Sequence, residues 1–556
     1  MKMFYIAGFL LMLLPWWAFA GETIPPYHWV WNYLNYFKVA GYLTELDLTS
    51  GPIEREEAAE YLLHIDLDKI PPGSRDWKML QVLYREFATE LSEIGKSGER
   101  ELLNKALRRL QMALLPETVQ SRVRVGAFGM LVPRYRQETW QTDFQFHTRF
   151  GLQFGRRFTF YNNMKVFNHP PDGYIGKTFR NLYAYTEQAY FQIDQGIFRL
   201  KIGRDFLQVG PGRTGKLLIS DNSRPFDMYH ARFGRRFLNF SFWGIMLDPR
   251  PIVQEGFEPY GTVAKRYLNG HRLSVNWNDR YYLGASEVVV YGGPDAGWDL
   301  AFMNPFTVYY GHQANGPFAN ANVLYLVDWD LYFPHRVEFY GEFLIDDIQV
   351  DKKVPADLEP NELGLLVGAN WANPFNWGAS LVGAEYVQVR NRTYNAPVND
   401  WEKYLHRNRV IGYYLGNDFK HWNFHLEKWV RPDLSVTGFA HLIRKGEGTV
   451  EGEFNTDYLN YTVEEGYHEP FPWGIVERHW QLGMTLFYRP HPLANVTLSL
   501  AYNDFNNYQH VTGATHSEVS ASVNLWLQWD AVFRSSNLAI DQWDFEVLDD
   551  QTGNNP

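Results

Sequence analysis

Between residues 121 and 529 the sequence is dominated by one pattern, the alternation of apolar with polar or small side chains. The segment 519–529, VSASVNLWLQW, is typical of it: every second residue from Val519 to Trp529 is apolar or small, and the residues between them are polar except Trp526. Successive residues of a strand point to opposite faces, so such a run predicts a strand with one apolar and one polar face. The runs reach about ten residues, the length that a tilted strand needs to cross a bilayer.

The number of these runs predicts a closed barrel. We count roughly 16 to 20 of them between Arg122 and Trp529, and about 18 agrees with the even strand number of bacterial single-chain barrels. Strands span lipid only when they close on themselves, because an open sheet edge leaves backbone groups without hydrogen bonds. The predicted fold is mostly β: an antiparallel transmembrane β-barrel of about 18 strands with an N-terminal α-helical bundle.

The composition favours a membrane barrel over a soluble β protein. Aromatic residues make up 17% of the chain, yet mean hydropathy is −0.36, so apolar and polar residues are finely interleaved. A soluble propeller would also show alternation, but we find no repeat of about 40 to 50 residues. The absence of cysteine excludes disulfides and thiol chemistry. A net charge of −11 argues against a nucleic-acid binder, which needs a basic face.

Residues 1–20 have the features of a secretory signal peptide. Lys2 precedes the apolar run 3–14, and Ala18-Phe19-Ala20 forms a cleavage site before Gly21. No later run approaches about 18 apolar residues, so no transmembrane helix is predicted. We expect the mature protein to leave the cytoplasm, and a role in a membrane must then depend on a barrel or on the protein surface.

Residues 21–116 follow a helical period instead. Leu80, Leu83, Phe87 and Leu91 recur at steps of three and four, and Pro116 ends the pattern. We predict four or five amphipathic helices that form a small bundle of their own. The barrel is then assigned to 117–529, and 530–556 is a polar, acidic tail with no predicted structure.

One part of the helical region suggests a separate partner. The segment 51–61, GPIEREEAAEY, resembles a single surface-layer homology repeat, a type of sequence that binds cell-wall polymers. Residues 41–65 are therefore a candidate contact for peptidoglycan or a periplasmic protein. The simpler interpretation is a helix start whose acidic residues are favoured by the helix dipole.

The segments that resemble catalytic or metal-binding motifs lack residues or spacings that those motifs need. The run from Gly210 to Lys216 resembles a phosphate-binding loop, but Leu217 stands where that loop needs Ser or Thr to hold magnesium. A paired His421 and His425 would lie about 13 Å apart on a strand, too far to share a metal ion. The sequence predicts no enzyme, no cofactor, no metal site and no nucleic-acid partner.

Three segments carry a family resemblance: Ile202–Asp205 with Val209–Gly212, Leu217–Pro225, and Tyr340–Asp347, with Met303-Asn304-Pro305 as a further element. On these residues the chain resembles the Wzi-type capsule assembly family of Gram-negative outer membranes. The resemblance implies a barrel of about 18 strands whose periplasmic end is plugged by helices. It also implies a lectin-like role in attaching or organising capsular polysaccharide at the cell surface.

We therefore expect a non-enzymatic outer-membrane barrel that binds surface or capsular polysaccharide. The alternatives are a diffusion porin and a structural protein tethered to the wall through its helical region. Polar side chains of the segment 201–225 and of the strand around residue 342 are candidates for glycan binding or for lining the lumen: Arg204, Asp205, Arg213, Lys216, Asp221, Arg224, Glu338, Glu342 and Asp346. For Arg204 and Arg224 the competing interpretation is an ion pair with the three acids on that strand.

Overall fold

The computed structural model describes residues 21–93, 97–114, 121–155, 157–170, 176–235, 237–251, 263–313 and 321–535. The predicted signal peptide and the predicted tail beyond Ser535 lie outside these residues.

Eighteen long strands close into an antiparallel barrel, and we number them β1 to β18 in chain order. Their bounds are Ser121–Arg136, Thr139–Phe154, Phe158–Phe167, Leu182–Asp194, Phe198–Asp205, Phe226–Arg235, Leu238–Pro251, Val263–Trp277, Tyr281–Gly293, Asn322–Phe333, Val337–Asp347, Glu362–Ala372, Ser380–Val389, Phe419–Arg431, Leu434–Lys445, Glu477–His491, Ala494–Asn506 and Thr515–Ser535. β1 closes the ring on β18, with Ser121 opposite Ser535. The predicted fold class and strand number are confirmed, and β18 extends to Ser535, past the barrel end predicted at 529.

The helices are short and lie mostly before the barrel. They are α1 to α7, at Val30–Val39, Arg55–Leu63, Arg75–Glu86, Ala88–Ser92, Ser97–Leu110, Leu300–Met303 and Tyr309–Gln313. Single 3-10 turns occur at Leu67–Lys69, Pro355–Leu358, Pro374–Asn376, Asp400–Glu402, Asp457–Asn460 and Tyr508–His510. Two-residue strands pair Ser50–Gly51 with Gln208–Val209 and Leu405–His406 with Arg409–Val410, and Thr178–Phe179 pairs with β4. No helix in the described part of the chain is long and apolar enough to cross a membrane.

The alternation in the sequence places apolar side chains outside and polar ones inside. On β18, Leu527 is 65% exposed and Trp529 is 55% exposed on the outer face. Trp526, the exception to the pattern, is only 6% exposed and faces the lumen. On the inner face of β18, Trp526 thus replaces the small and polar residues found at Ser520, Ser522 and Asn524.

The two ends of the barrel differ in their connections. At one end the strands are joined by short turns such as 432–433 and 492–493, and both β1 and β18 have their outer termini there. At the other end long loops join them, including 390–418 and 446–476. We call these the short-turn end and the long-loop end.

Residues 21–114 pack into the short-turn end, and we call them the plug. The Tyr33 hydroxyl donates to the Pro432 carbonyl at 2.8 Å, the Tyr36 ring lies 4.7 Å from Trp429, and the Arg489 guanidinium lies 4.0 Å from the Trp29 ring. The helices share one apolar core with wall residues of β9, β10, β14 and β16. They are therefore not a bundle of their own, as the sequence suggested, but one core with the barrel.

The loop that follows β9 packs on the outside of the barrel. The Trp298 ring lies 4.8 Å from Tyr267, Phe306 stacks on Phe240 at 5.6 Å, and the Tyr310 N–H donates to Glu287 at 3.1 Å. These three wall residues point outward from β7, β8 and β9, because they lie in register with exposed outer residues such as Leu273. This loop therefore lies outside the barrel and does not fill the lumen.

Candidate functional site

The segment between β5 and β6, residues 206–225, folds into the lumen, and we call it the inward loop. Its first residues form a small sheet with the plug, Val209 opposite Ser50, and the Gly210 N–H donates to the Thr49 carbonyl at 2.8 Å. The sequence shows why the chain bends here: Gly210 has φ +116°, a conformation that favours glycine, and a Cβ atom there would collide with the Glu342 carboxylate.

Carboxylates on the inner wall hold the loop by its backbone. Glu342 accepts hydrogen bonds from the Gly212 N–H at 2.7 Å and the Leu217 N–H at 2.6 Å. Glu385 accepts one from the Arg213 N–H at 2.8 Å. The Arg213 guanidinium forms an ion pair with Glu338. Burying backbone N–H groups without hydrogen-bond acceptors costs free energy, so these carboxylates stabilise the loop inside the barrel.

The apolar run Leu217-Leu218-Ile219 is completely buried in the lumen, together with apolar residues of β11, β12 and β13. Beyond it the Ser220 N–H donates to the Ile411 carbonyl at 2.9 Å, and the Asn222 side chain donates to the Val410 carbonyl at 2.9 Å. The inward loop therefore joins the plug on one side to the loop 390–418 on the other. This side of the lumen is closed from end to end.

The nine predicted site residues divide into several environments. Arg213, Lys216, Glu338 and Glu342 meet in the lumen, where the Lys216 ammonium donates to the Gly210 and Gly212 carbonyls at 2.6 and 3.1 Å. Asp346 lies nearby and accepts from the Tyr394 N–H at 2.6 Å. These five residues hold the inward loop in the lumen, and we call them the seal. Their carboxylates and the Lys216 ammonium already bind groups of the protein itself.

The other four predicted residues lie elsewhere. Asp205 is buried next to the plug and bonds Gln188 at 2.9 Å, whereas Asp221 is exposed. Arg204 points outward and pairs with Asp227 at 2.5 Å instead of with the acids of β11, and the Arg224 guanidinium lies over the Tyr185 ring at 5.6 Å. Arg213 is the arginine that pairs with Glu338 of β11, from the part of the inward loop that follows Gly210.

Ion pairs between the plug and the wall surround the short-turn end. Each involves a plug carboxylate and a wall arginine: Glu22 and Glu90 with Arg124, Glu56 and Glu93 with Arg122, Glu54 and Glu57 with Arg199, Glu57 with Arg232, and Glu86 with Arg489. Several of these acids belong to the segment 41–65, which the sequence analysis considered as a contact for peptidoglycan. The structure pairs these acids with wall arginines, and a contact of the segment with peptidoglycan or a periplasmic protein stays a prediction.

The plug acids have shifted pKa values. Burial raises the pKa of Glu56 to about 7, against the attraction of Arg122. Burial also opposes the ionisation of Glu90, but the positive charges of Arg55 and Arg124 outweigh it and hold the pKa of Glu90 below its ordinary value. Burial lowers the pKa of His28 to about 3. Burial and the neighbouring arginines thus shift the pKa values of these groups in different directions.

The other side of the lumen is open. A cavity of about 740 Å³ is lined by the inner faces of β1–β3 and β15–β18, and residues 26–32 of the plug form its floor. We call it the vestibule. It opens toward the long-loop end, where the side chains of Arg134 and Arg136 are 55% and 67% exposed.

Sequence reasoning missed the vestibule residues. Trp526 stacks on Phe128 with ring centroids 4.4 Å apart and an interplanar angle of 7°, and Phe128 stacks on His147 at 4.0 Å. Tyr27 of the plug lies against the same rings. One signal was present: Trp526 is the residue that breaks the alternation of β18. The predicted closed barrel implies that β1 and β18 are neighbours, but the sequence did not show which of their residues face each other.

Histidines extend the seal to β15 without forming a metal site. The Tyr413 hydroxyl contacts His421 at 2.8 Å, and His421 contacts His441 at 2.8 Å. Within the described ranges no group of three or more His, Asp, Glu or Cys is arranged to hold a metal ion.

A closed ring of 18 strands, a helical plug and an inward-folded loop define the class: an outer-membrane β-barrel whose lumen is filled from within. Residues 136–554 match the family model of the capsule assembly protein Wzi, and the chain belongs to this family. The resemblance stated from the sequence is thus confirmed.

Among solved structures, the chain is similar to Wzi of Escherichia coli, described as an outer membrane protein involved in group 1 capsule assembly and a carbohydrate-binding β-barrel. The identity is 16%, the match covers 91% of this chain and 99% of that one, and the TM-score is 0.56, so it shows the fold. OccD3 and OprD of Pseudomonas aeruginosa match at 10% and 11% identity, over 73% and 74% of this chain and 91% and 96% of theirs, each with a TM-score of 0.42. No curated protein matches the sequence.

Proposed function

We propose that this barrel binds capsular or other surface polysaccharide outside the cell and helps to attach or assemble it there, without catalysing a reaction. The observation that carries the proposal is the filled lumen in a member of this family. The plug, the inward loop and the loop 390–418 are joined by backbone hydrogen bonds across the barrel. A barrel built in this way serves as a surface for binding rather than as a path for solutes.

The binding surface lies at the long-loop end. The loops 390–418 and 446–476 are held there by an ion pair from Arg392 to Glu469 at 2.9 Å and by the Asn395 side chain, which donates to the Thr449 carbonyl at 3.2 Å. Such cross-links keep long loops in one conformation, so that binding a glycan costs less conformational entropy. The short-turn end, with the plug, is proposed to face the periplasm.

Purified protein tests the proposal directly. We expect it to bind polysaccharide purified from its own encapsulated host in a calorimetric titration and to release no new reducing ends during incubation. A failure to bind that polysaccharide under any salt condition would contradict the proposal. New reducing ends would show an enzyme instead.

The diffusion porin is the competing function, and a planar bilayer separates the two. Since the lumen is filled on one side and the vestibule ends at the plug, we expect purified protein to give no steady large conductance. A stable open level of porin size would favour the porin. The wall tether is tested by co-sedimentation with isolated peptidoglycan, in which we expect the protein to remain in the supernatant.

A further inference from the structure

The vestibule is a built cavity with water access from one direction. Its volume of about 740 Å³ lies within the range of about 300–1,000 Å³ found for sites that enclose small ligands. Residues 26–32 close it at the bottom, and the Arg489 guanidinium, 4.0 Å from the Trp29 ring, ties them to the barrel wall. A ligand would enter from the long-loop end and stop at the plug.

The wall of the vestibule is rich in hydroxyl and amide groups. Thr485 and Ser499, on neighbouring strands, are hydrogen-bonded to each other at 3.0 Å, and Asn495, Thr497 and Ser522 line the same surface. The side-chain oxygens of Gln145 and Asn524 are buried without a hydrogen-bond partner among the described residues. The hydroxyl and amide groups that line the cavity are the kind of polar groups that hydrogen-bond sugar hydroxyls.

An aromatic surface lies at the base of this polar wall. Trp526 lines the cavity and is fixed from behind by its stacking on Phe128. Trp29 and Phe487, which also line the cavity, stack on each other with centroids 6.4 Å apart. Rigid rings beside hydroxyl and amide groups provide the two kinds of contact that a sugar needs, because its ring has apolar faces and polar edges.

The charges in the vestibule are of one sign at the surface. Arg134, Arg136 and Lys165 line it, and their partners Asp143, Glu518 and Glu187 lie behind them. The arginine side chains are 55% and 67% exposed, whereas those of Asp143 and Glu518 are 15% and 6% exposed. Each of these cations has a carboxylate partner, but in the two arginine pairs the cationic side chain is the more exposed member. The entrance of the vestibule therefore favours anions.

We propose that the vestibule is the binding site for an acidic oligosaccharide segment, one whose sugars carry carboxylate groups. The sugar carboxylate lies at the entrance and pairs with Arg134 or Arg136, since guanidinium and carboxylate form two parallel hydrogen bonds. The next sugars descend along the hydroxyl wall to the ring of Trp526. This inference rests on the proposed function and adds the site and the chemical class of the glycan.

The experiment compares defined hexamers on the full-length purified protein. Galacturonic acid hexamer and hyaluronan hexamer supply carboxylates, and maltohexaose is the neutral match. Three variants are used: the double variant Arg134→Gln/Arg136→Gln, the blocking variant Thr497→Trp, and the control Arg431→Gln. The control removes an arginine that is 53% exposed and paired with Asp433, but at the short-turn end. Heat-modifiable migration on gels shows that each variant is a folded barrel.

We expect the wild type to bind at least one acidic hexamer, and to bind it more tightly than maltohexaose. Arg134→Gln/Arg136→Gln should weaken that binding about tenfold, the effect of losing one or two hydrogen bonds to a charged group. Thr497→Trp should abolish it, and Arg431→Gln should leave it unchanged.

Two results would overturn the inference. One is binding of acidic and neutral hexamers with equal affinity, or of neither. The other is undiminished binding of the host polysaccharide by the double and the blocking variants, in which case the proposed function stands and the site lies elsewhere. If the wild type binds neither the hexamers nor the host polysaccharide, the proposed function fails together with the inference.

Discussion

The carboxylate of Glu342 holds the backbone of Leu217 in the middle of the lumen, with Oε2 2.6 Å from the Leu217 nitrogen. The same carboxylate accepts the Gly212 N–H, so one buried side chain fixes both ends of the turn that begins the buried run. Among the wall acids that hold the inward loop, this one determines where the loop lies.

Replacing Glu342 with alanine is therefore expected to loosen the inward loop. Two buried N–H groups lose their acceptor, at a cost of about 1–3 kcal/mol for each. We expect faster hydrogen exchange in residues 206–225 and 390–418, with the barrel strands unaffected. The exposed Glu453, in the loop 446–476, is the control: Glu453→Ala should leave the exchange unchanged. If both variants exchange like the wild type, Glu342 does not hold the loop.

Much of the barrel could be predicted from the sequence because the pattern that defines a membrane strand involves only neighbouring residues. A residue of a membrane strand faces either lipid or lumen, so the alternation around Leu527 and Trp529 fixed both the strand and its orientation. In the same way, the helical period around Leu80, Leu83 and Leu91 predicted helices before the barrel, and α3 and α4 lie there. These signals need only neighbouring residues.

The site was predicted less well because it depends on contacts between distant residues. Arg213 meets Glu338 across 125 positions, and the pairing partner cannot be chosen from the sequence when Arg204 and Arg224 lie close by. The vestibule is lined by both β1 and β18, and these strands lie side by side only because the ring closes. The plug helices showed their apolar faces, but an apolar face does not reveal whether it packs on another helix or on the barrel wall.

Arg124 tests how firmly the plug is docked. It pairs with Glu22 at 2.9 Å and Glu90 at 2.7 Å, and all three side chains are buried. Removing one member of a buried ion pair typically costs about 3–5 kcal/mol because the other charge is left unpaired. We expect Arg124→Gln to make residues 21–114 sensitive to trypsin while the barrel stays resistant.

The exposed pair of Arg431 with Asp433 is the matched control for this prediction. Surface ion pairs contribute about 0–1 kcal/mol, so Arg431→Gln should digest like the wild type. Equal digestion of the Arg124 and Arg431 variants would mean that the wall ion pairs do not retain the plug.

We expect acid to weaken the docking of the plug in the barrel. The pH at which this begins depends on titratable groups that act in opposite directions. His28, whose pKa burial lowers to about 3, takes up its proton only on undocking, so stability is lost as pH falls from about 6.5 toward 3. Glu56, whose pKa is raised to about 7, acts in the opposite direction between about 7 and 4.5. Glu90 has a lowered pKa and adds a loss as pH falls below about 4.5. The steep loss is expected below about pH 4.5.

A spin label measures this transition, since the chain has no cysteine of its own. We expect a label at Lys105→Cys, an exposed position of α5, to remain immobile from pH 7 to 5 and to become mobile near pH 4. His28→Gln should shift the onset to lower pH. A label that stays immobile at pH 3 would contradict this account of the plug.

The central claim is that the protein keeps polysaccharide at the cell surface, and the most direct measurement is the distribution of that polysaccharide after loss of the gene. Polysaccharide is quantified in the cell-bound and the shed fractions of an encapsulated host, with and without the gene restored. We predict that loss of the gene moves polysaccharide from the cell-bound to the shed fraction and that restoring the wild-type gene reverses the change. Unchanged fractions in the strain without the gene would contradict the account.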